Sequence, residues 1–389
     1  VIFTLGSLLC GFSRSLIFLV IARIIQGIGA AGVMANNQGI ITETFPPAER
    51  GKALGLSGTA VALGSLVGPP LGGLIISISS WEYIFLINVP IGILALIYSL
   101  KVLPNIPLID KASFDKKGAF LYILSIILLF GALDYGQVSG FKNLGIIISI
   151  IIAVIVFIIF IVVEKKEEKP LLDLSIFNNS LFSVSIVCAF ISFMAIFCSN
   201  IILPFYLQNA KGYTPAKAGL ILMIYPLILT VVAPISGHIS DKIGSEKITF
   251  LGLLFTSTGL FLLSFSREST SLLYILFSII VMSFGNGMFQ SPNNSLIMSQ
   301  VPKEKLGIAG SINGLIRNLG MVTGIAFSTL LLYNRMSAKF GQPVNDFIEG
   351  RSDIFIYGMK FVYVSASLIC LFGALLTLYR IKKLKKSHI

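Results

Sequence analysis

In RIIQGIGAA (residues 23–31) an arginine stands three positions before a glutamine, in a stretch otherwise apolar or small. On a helix, Arg23 shares a face with Gln26 and Gly27, because side chains three and four apart are neighbours, and Asn37 falls near the same stripe. The guanidinium keeps its charge at any working pH. Placed within an apolar span it needs a cavity, a carboxylate or a carbonyl to receive it, or a short reach to the membrane surface. Gln26 and the small residues beside it favour a polar cavity over a surface anchor. Arg317, in SINGLIRNLGMVTG, is a second arginine within an apolar span, either a functional charge or one held by a backbone carbonyl. Asn36, Asn37, Gln290, Asn293, Asn294 and Asn313 are amides in apolar helices, suited equally to interhelical hydrogen bonds and to contact with a bound solute.

Two further stretches carry positional chemistry. In GSLVGPPLGG (residues 64–73), Gly64, Gly68 and Gly72 recur every four residues and predict a smooth helix face on which a neighbour packs backbone to backbone. Pro69 and Pro70 cannot donate to the carbonyls one turn earlier and predict a bend. Gly73 extends the same motif. In GHISDKIGSEK (residues 237–247), Gly237 is expected to give a tight exit from a span and Asp241 to sit at the N-terminus of the next helix, where the dipole favours it. Gly244 shares that gating loop, and Lys242 and Lys247 add positive charge.

These motifs need elements that span a bilayer. The 389 residues are 55% hydrophobic and 12% charged, with mean hydropathy +0.92. Uncharged runs of roughly 20 residues or more, the length of a membrane-crossing helix, recur at 53–81, 144–163, 180–210 and 271–300. The chain therefore reads as an all-α polytopic membrane protein with about twelve apolar spans. Its net charge of +12 is a matter of membrane orientation rather than nucleic acid. With the loop after Thr44 inside, inner loops and tail carry 18 Lys and Arg against 9 outside. The tail RIKKLKKSHI is the firmest inner anchor, so the C-terminus is expected in the cytoplasm. Two histidines leave little material for a metal site or catalytic triad, and the four cysteines lie in apolar spans without disulfide or metal spacing. No phosphate-binding GKS or GKT loop occurs, which disfavours an ATP-driven pump. No enzyme activity and no cofactor are expected.

The sequence also repeats itself. Pro46, Gly51, Ala53, Gly58, Gly64 and Gly68 match Pro302, Gly307, Ala309, Gly314, Gly320 and Gly324 at a constant offset of 256. Eight spans, an even number, separate the copies, so both share one orientation, as in parallel repeats about an axis along the membrane normal. The same register places roughly 75 residues of the first copy, two spans, ahead of Val1, and makes the spans near 118–135 and 143–163 an inserted pair. The expected division is 1–102 (first half, spans 3–6), 103–178 (linker with the inserted pair) and 179–389 (second half, spans 9–14).

With those elements in place, the chain resembles the fourteen-span drug:proton antiporters of the major facilitator superfamily over essentially its whole length. RIIQGIGAA looks like the family's fourth-helix motif and GSLVGPPLGG like its fifth-helix antiporter motif. GHISDKIGSEK looks like the second-half copy of its loop motif, with Ser245 where a basic residue is commoner. WEYIFLINVPIG, LPFYLQNAKGYTPAKAG and SPNNSLIMSQVP support the likeness, although Glu82 stands where relatives usually carry a base. The resemblance implies proton-driven export of amphipathic or cationic organic compounds by alternating access. It implies a bacterial plasma membrane, a monomer, small-molecule substrate and protons as partners, and no nucleic acid. It makes Arg23, Gln26, Gly27 and Arg317 candidates for coupling, and Asn36, Asn37, Tyr206, Gln290, Asn293 and Asn313 candidates for the substrate cavity. The titrating carboxylate that Arg23 would govern is expected in the two spans ahead of Val1. A carrier for one metabolite, such as a vitamin or amino acid, is the alternative on the same fold. A truncated or non-transporting membrane protein is the third reading.

Overall fold

A computed structural model of the chain describes residues 1–44, 60, 64, 67–102, 115–139, 143–167, 170, 174–302 and 306–387. Among these, the side chains of 35, 38–39, 41–43, 134, 137–139, 174, 241, 306–307, 311 and 382–387 also lie outside the described set. The helices are α1 (Ile2–Gly11), α2 (Leu16–Thr44), α3 (Val67–Ile78), α4 (Tyr83–Leu86), α5 (Asn88–Val102), α6 (Lys116–Ser139) and α7 (Leu144–Glu164). A 3-10 turn (Leu174–Asn178) leads to α8 (Ser180–Phe205), which ends in a π-turn (Tyr206–Ala210). Then follow α9 (Pro215–Leu222), α10 (Ile224–Ile243), α11 (Ser245–Leu263), α12 (Leu272–Ser299), α13 (Leu306–Phe340) and α14 (Ser352–Ser387). Among the described residues ten helical stretches are long and apolar enough to cross a membrane, and α1 and α3 are shorter apolar helices.

Prolines set the breaks. Pro226 has no N–H for the carbonyl of Leu222, and α9 ends there; Pro90 stands in the same relation to Leu86, where α4 ends. Side-chain oxygens set several starts. Asn143 accepts from Gly145 N, Asn179 from Leu181 and Phe182 N, Thr214 from Lys217 N and Ser271 from Tyr274 N, each satisfying an otherwise orphaned helix N–H.

The chain forms two compact units, Val1–Lys111 with Tyr213–Pro226, and Ala112–Gly212 with Leu227–Ile389. In the first, α1 lies along α2 and touches α4 and α5. Two glycines allow that approach: a Cβ on Gly6 would fall 2.5 Å from the Gln26 backbone, and one on Gly29 would meet the Phe3 backbone. The short helices α4 and α5 bury no residue. In the second unit, α8, α11, α12, α13 and α14 enclose a core that includes Phe182, Ile186, Ile297 and Ile312, while α6 pairs with α7. Polar pairs tie its helices. Ser257 on α11 and Ser367 on α14 exchange hydroxyl-to-carbonyl bonds of 2.9 Å, and Asn286 on α12 donates to Ser192 on α8 at 2.9 Å. All four cysteines are buried and free of disulfides.

Candidate functional site

The first unit holds the Arg23 constellation. Arg23 donates to Gln26 Oε1, one turn along α2, and Gln26 Nε2 donates to Ser7 Oγ of α1 at 2.7 Å. Gln26 is 4% exposed, so both ends of its amide act inside the α1–α2 contact. The guanidinium stays exposed on the unit's surface and lies 5.5 Å from the ring centre of Phe85 on α4. A permanent cation is thus oriented by one buried amide and one aromatic face. Gly27 is exposed beside it, and among the described residues a Cβ there would have no heavy atom within 4 Å. Just before α4, Ser80 hydrogen-bonds the Glu82 carboxylate and holds it below the usual carboxylate range.

Close packing in the glycine-proline helix falls elsewhere than the four-residue spacing suggests. Among the described residues, a Cβ on Gly64, Gly68 or Gly72 would meet nothing within 4 Å. The contact is made by Gly73, whose Cβ would strike the Pro215 carbonyl, and reciprocally by Gly219 of α9, whose Cβ would fall 2.5 Å from the Pro69 carbonyl. The spacing gives a smooth face but does not say which face has a neighbour. Pro69 and Pro70 lie within α3; the carbonyls they were expected to free, those of Ser65 and Leu66, lie outside the described residues.

The GHISDKIGSEK loop is shorter than its sequence implies. α10 runs through Gly237 and Asp241 to Ile243, so Gly237 is a packing position rather than an exit: a Cβ there would fall 2.7 Å from Ser291 Oγ of α12. Asp241 therefore stands in the last turn of α10 instead of at the start of α11, and its side chain lies outside the described set. Gly244 makes the whole turn, with φ of 96°, a conformation that favours glycine. Glu246 is the acid in the first turn of α11. Lys242 and Lys247 are both exposed.

The remaining candidates are dispersed. Asn293 is 1% exposed and donates to the Ser185 carbonyl of α8 at 3.1 Å, leaving its Oδ1 buried without a partner. Asn313 of α13 donates to Asn294 Oδ1 of α12 at 2.9 Å. Asn36 donates to the Gly32 carbonyl of its own helix, Asn37 is exposed, and Gln290 is half-buried. Tyr206 is fully buried with its hydroxyl on the Arg267 carbonyl at 2.7 Å, a role within the fold. Arg317 is exposed and makes no hydrogen bond or ion pair among the described residues. The buried arginine is Arg380. It opens the basic tail in the sequence, yet it is 1% exposed and donates to Ser185 Oγ of α8 and Thr249 Oγ1 of α11, each at 2.8 Å. Sequence reasoning missed it because the lysines that follow make it look like one more solvated anchor.

Long apolar helices in two units, with polar side chains bonded from helix to helix, define a polytopic helical membrane protein. The family model described as Major Facilitator Superfamily matches residues 1–325 and 185–388. The chain belongs to that superfamily and is a multi-pass membrane transporter. It is 33% identical over 391 residues to "Riboflavin transporter RibZ" of Clostridioides difficile (strain 630), covering 99% of this chain and 82% of that protein. It is 36% identical over 333 residues to "Uncharacterized transporter YebQ" of Escherichia coli (strain K12), covering 85% and 73%. "Multidrug resistance protein Stp" of Mycobacterium tuberculosis is 30% identical over 338 residues, covering 87% and 63%. Among solved structures, the POT family transporter PepTSo superposes with a TM-score of 0.69 at 12% identity, covering 99% of this chain and 82% of that one, a likeness of fold.

Proposed function

We propose that this chain is a proton-coupled exporter of small amphipathic organic compounds, cations included, that works by alternating access between its two repeat halves. The observation that carries this reading is the Ser7–Gln26–Arg23 hydrogen-bonded chain. It orients a permanent positive charge with a buried amide, where a structural role would bury the charge itself. A nearby fixed cation lowers the pKa of a carboxylate, and moving the two apart raises it again, which is the physical requirement of a proton-coupled cycle. The relative named a multidrug resistance protein supports the export of varied compounds. The fourteen-span organisation, the division at 102 and 178, the cytoplasmic C-terminus, the plasma membrane and the monomeric state belong to this proposal. So do coupling roles for Gly27 and Arg317 and gating roles for the 237–247 turn and the glycine-proline helix.

The test is efflux from vesicles driven by an imposed proton gradient. Arg23→Ala is expected to abolish it and Arg23→Lys to retain part, because the charge survives. Undiminished proton-driven export by Arg23→Ala overturns the coupling role. A second reading, a carrier for one metabolite, is favoured by the relative named a riboflavin transporter. Thermal stabilisation across a compound panel separates the two: many weak binders support the exporter, one tight binder the dedicated carrier.

A further inference from the structure

The turn that follows α11, the last turn of α13 and the first turns of α14 enclose a cleft of about 500 Å³. It lies within the second unit, at the end of α14 away from the basic tail. Arg267, Lys339 and Lys360 line it, against the carboxylates of Glu268 and Asp353. Asp353 is already matched: Arg351 holds it through bonds of 2.9 and 3.2 Å, and Lys339 approaches at 3.4 Å. Arg267 and Lys360 are exposed and make no ion pair among the described residues. Ser266 also lines the cleft; it is 2% exposed, and its buried Oγ has no hydrogen-bond partner among the described residues. Two uncommitted cations beside an orphaned hydroxyl form a donor set for an anion with several oxygens.

The position of the cleft along the helices selects the kind of anion. Positions 361–379 hold no charged residue, so Lys360 stands where the apolar part of α14 begins. A lysine is tolerated there when its ammonium reaches the headgroup layer. Beyond it, Leu368, Phe372 and Leu375 keep the side of α14 exposed and apolar, and Phe261 and Phe265 do the same on α11. A positive cleft at the polar boundary, with bare apolar surface leading from it toward the bilayer centre, matches both ends of a phospholipid.

We infer that this cleft binds the phosphate of an anionic phospholipid, phosphatidylglycerol being the simplest, from the leaflet opposite the C-terminal tail. Arg267 and Lys360 receive the phosphodiester, the Ser266 hydroxyl donates to one of its oxygens, and the acyl chains lie along α11 and α14. The site is separate from the Arg23 constellation and independent of which compound is transported.

Tryptophan quenching by brominated lipid tests it in the purified full chain. Trp81 is the one tryptophan, so Phe265→Trp on a Trp81→Phe background puts the sole reporter at the cleft. Lipid nanodiscs of unlabelled phosphatidylcholine then receive increasing fractions of brominated phosphatidylglycerol or brominated phosphatidylcholine with the same chains. The glycerol lipid is expected to quench at roughly tenfold lower fraction, and the advantage should shrink with added salt. Lys360→Gln and Arg267→Gln should each weaken it roughly fivefold, the contribution of one basic residue near an anionic headgroup. Both positions are exposed, so neither variant disturbs the core. Lys165→Gln, exposed at the end of α7, should change nothing. Equal quenching by the two lipids overturns the inference, as does unchanged quenching in both cleft variants. Full displacement of the glycerol lipid by inorganic phosphate overturns it in favour of a site for a free anion.

Discussion

Gly64 and Gly68 in one unit correspond by the 256-residue offset to Gly320 and Gly324 in the other, yet their surroundings are opposite. On α13, a Cβ at Gly320 would fall 2.9 Å from the Phe190 carbonyl and one at Gly324 would strike the Met194 carbonyl, so both glycines seat α8 against the helix backbone. At Gly64 and Gly68 an added Cβ would meet nothing within 4 Å among the described residues. The face that α8 covers in one unit meets no described neighbour at the matching glycines of the other. A small-residue stripe is permission for contact, and a second helix must supply the contact.

The widest gap between the copies should appear on adding bulk. Gly324→Leu forces a side chain into the α8 backbone and should cost more than the roughly 1–3 kcal/mol typical of overpacking. It should read as a large fall in the thermal unfolding temperature of the purified protein. Retention of wild-type stability would contradict the seating of α8 on α13. Charge handling differs next. Arg380→Met removes two hydrogen bonds from a buried guanidinium, each about 1.5–3 kcal/mol where a charged group is involved, and leaves Ser185 and Thr249 hydroxyls without that donor. Arg380→Lys should rescue only part of the loss, since one ammonium cannot span both hydroxyls with the same fork geometry. In the more open unit, Gln26→Leu removes one neutral bond to Ser7 and the anchor of Arg23. Its stability effect should be about 1 kcal/mol, while proton-driven export falls far more, a split a purely structural amide would not show. The smallest effect is Gly68→Leu, expected to leave the stability of the 389-residue chain unchanged. A loss equal to that of Gly324→Leu would mean the face is covered after all.

What the sequence disclosed follows from the range of each signal. Spans were legible because an uncharged apolar run of roughly 20 residues suits a bilayer crossing and little else, and the breaks at Leu86 and Leu222 were implicit in Pro90 and Pro226. The Arg23–Gln26 contact was legible because it spans one helical turn. The Gly73–Pro215 approach was not, because it joins segments far apart in the chain and no local spacing encodes it. Arg380 was obscured by context: a basic run looks solvated, and only the positions of Ser185 and Thr249 reveal that its first member turns inward. Asp241 was misplaced by a few residues, since α10 continues to Ile243 and the left-handed residue in the turn is Gly244.

The burial of all four native thiols has a practical consequence. Cys10, Cys188, Cys198 and Cys370 each have no accessible surface, so a maleimide added to the folded protein finds no native target. A single cysteine introduced at an exposed position, Asp346 or Lys242 for example, would be the one reactive site on the wild-type background. Fluorophores or spin labels placed this way would report on either end of the second unit without a cysteine-free parent, and thus without disturbing the packing around Cys188 and Cys198.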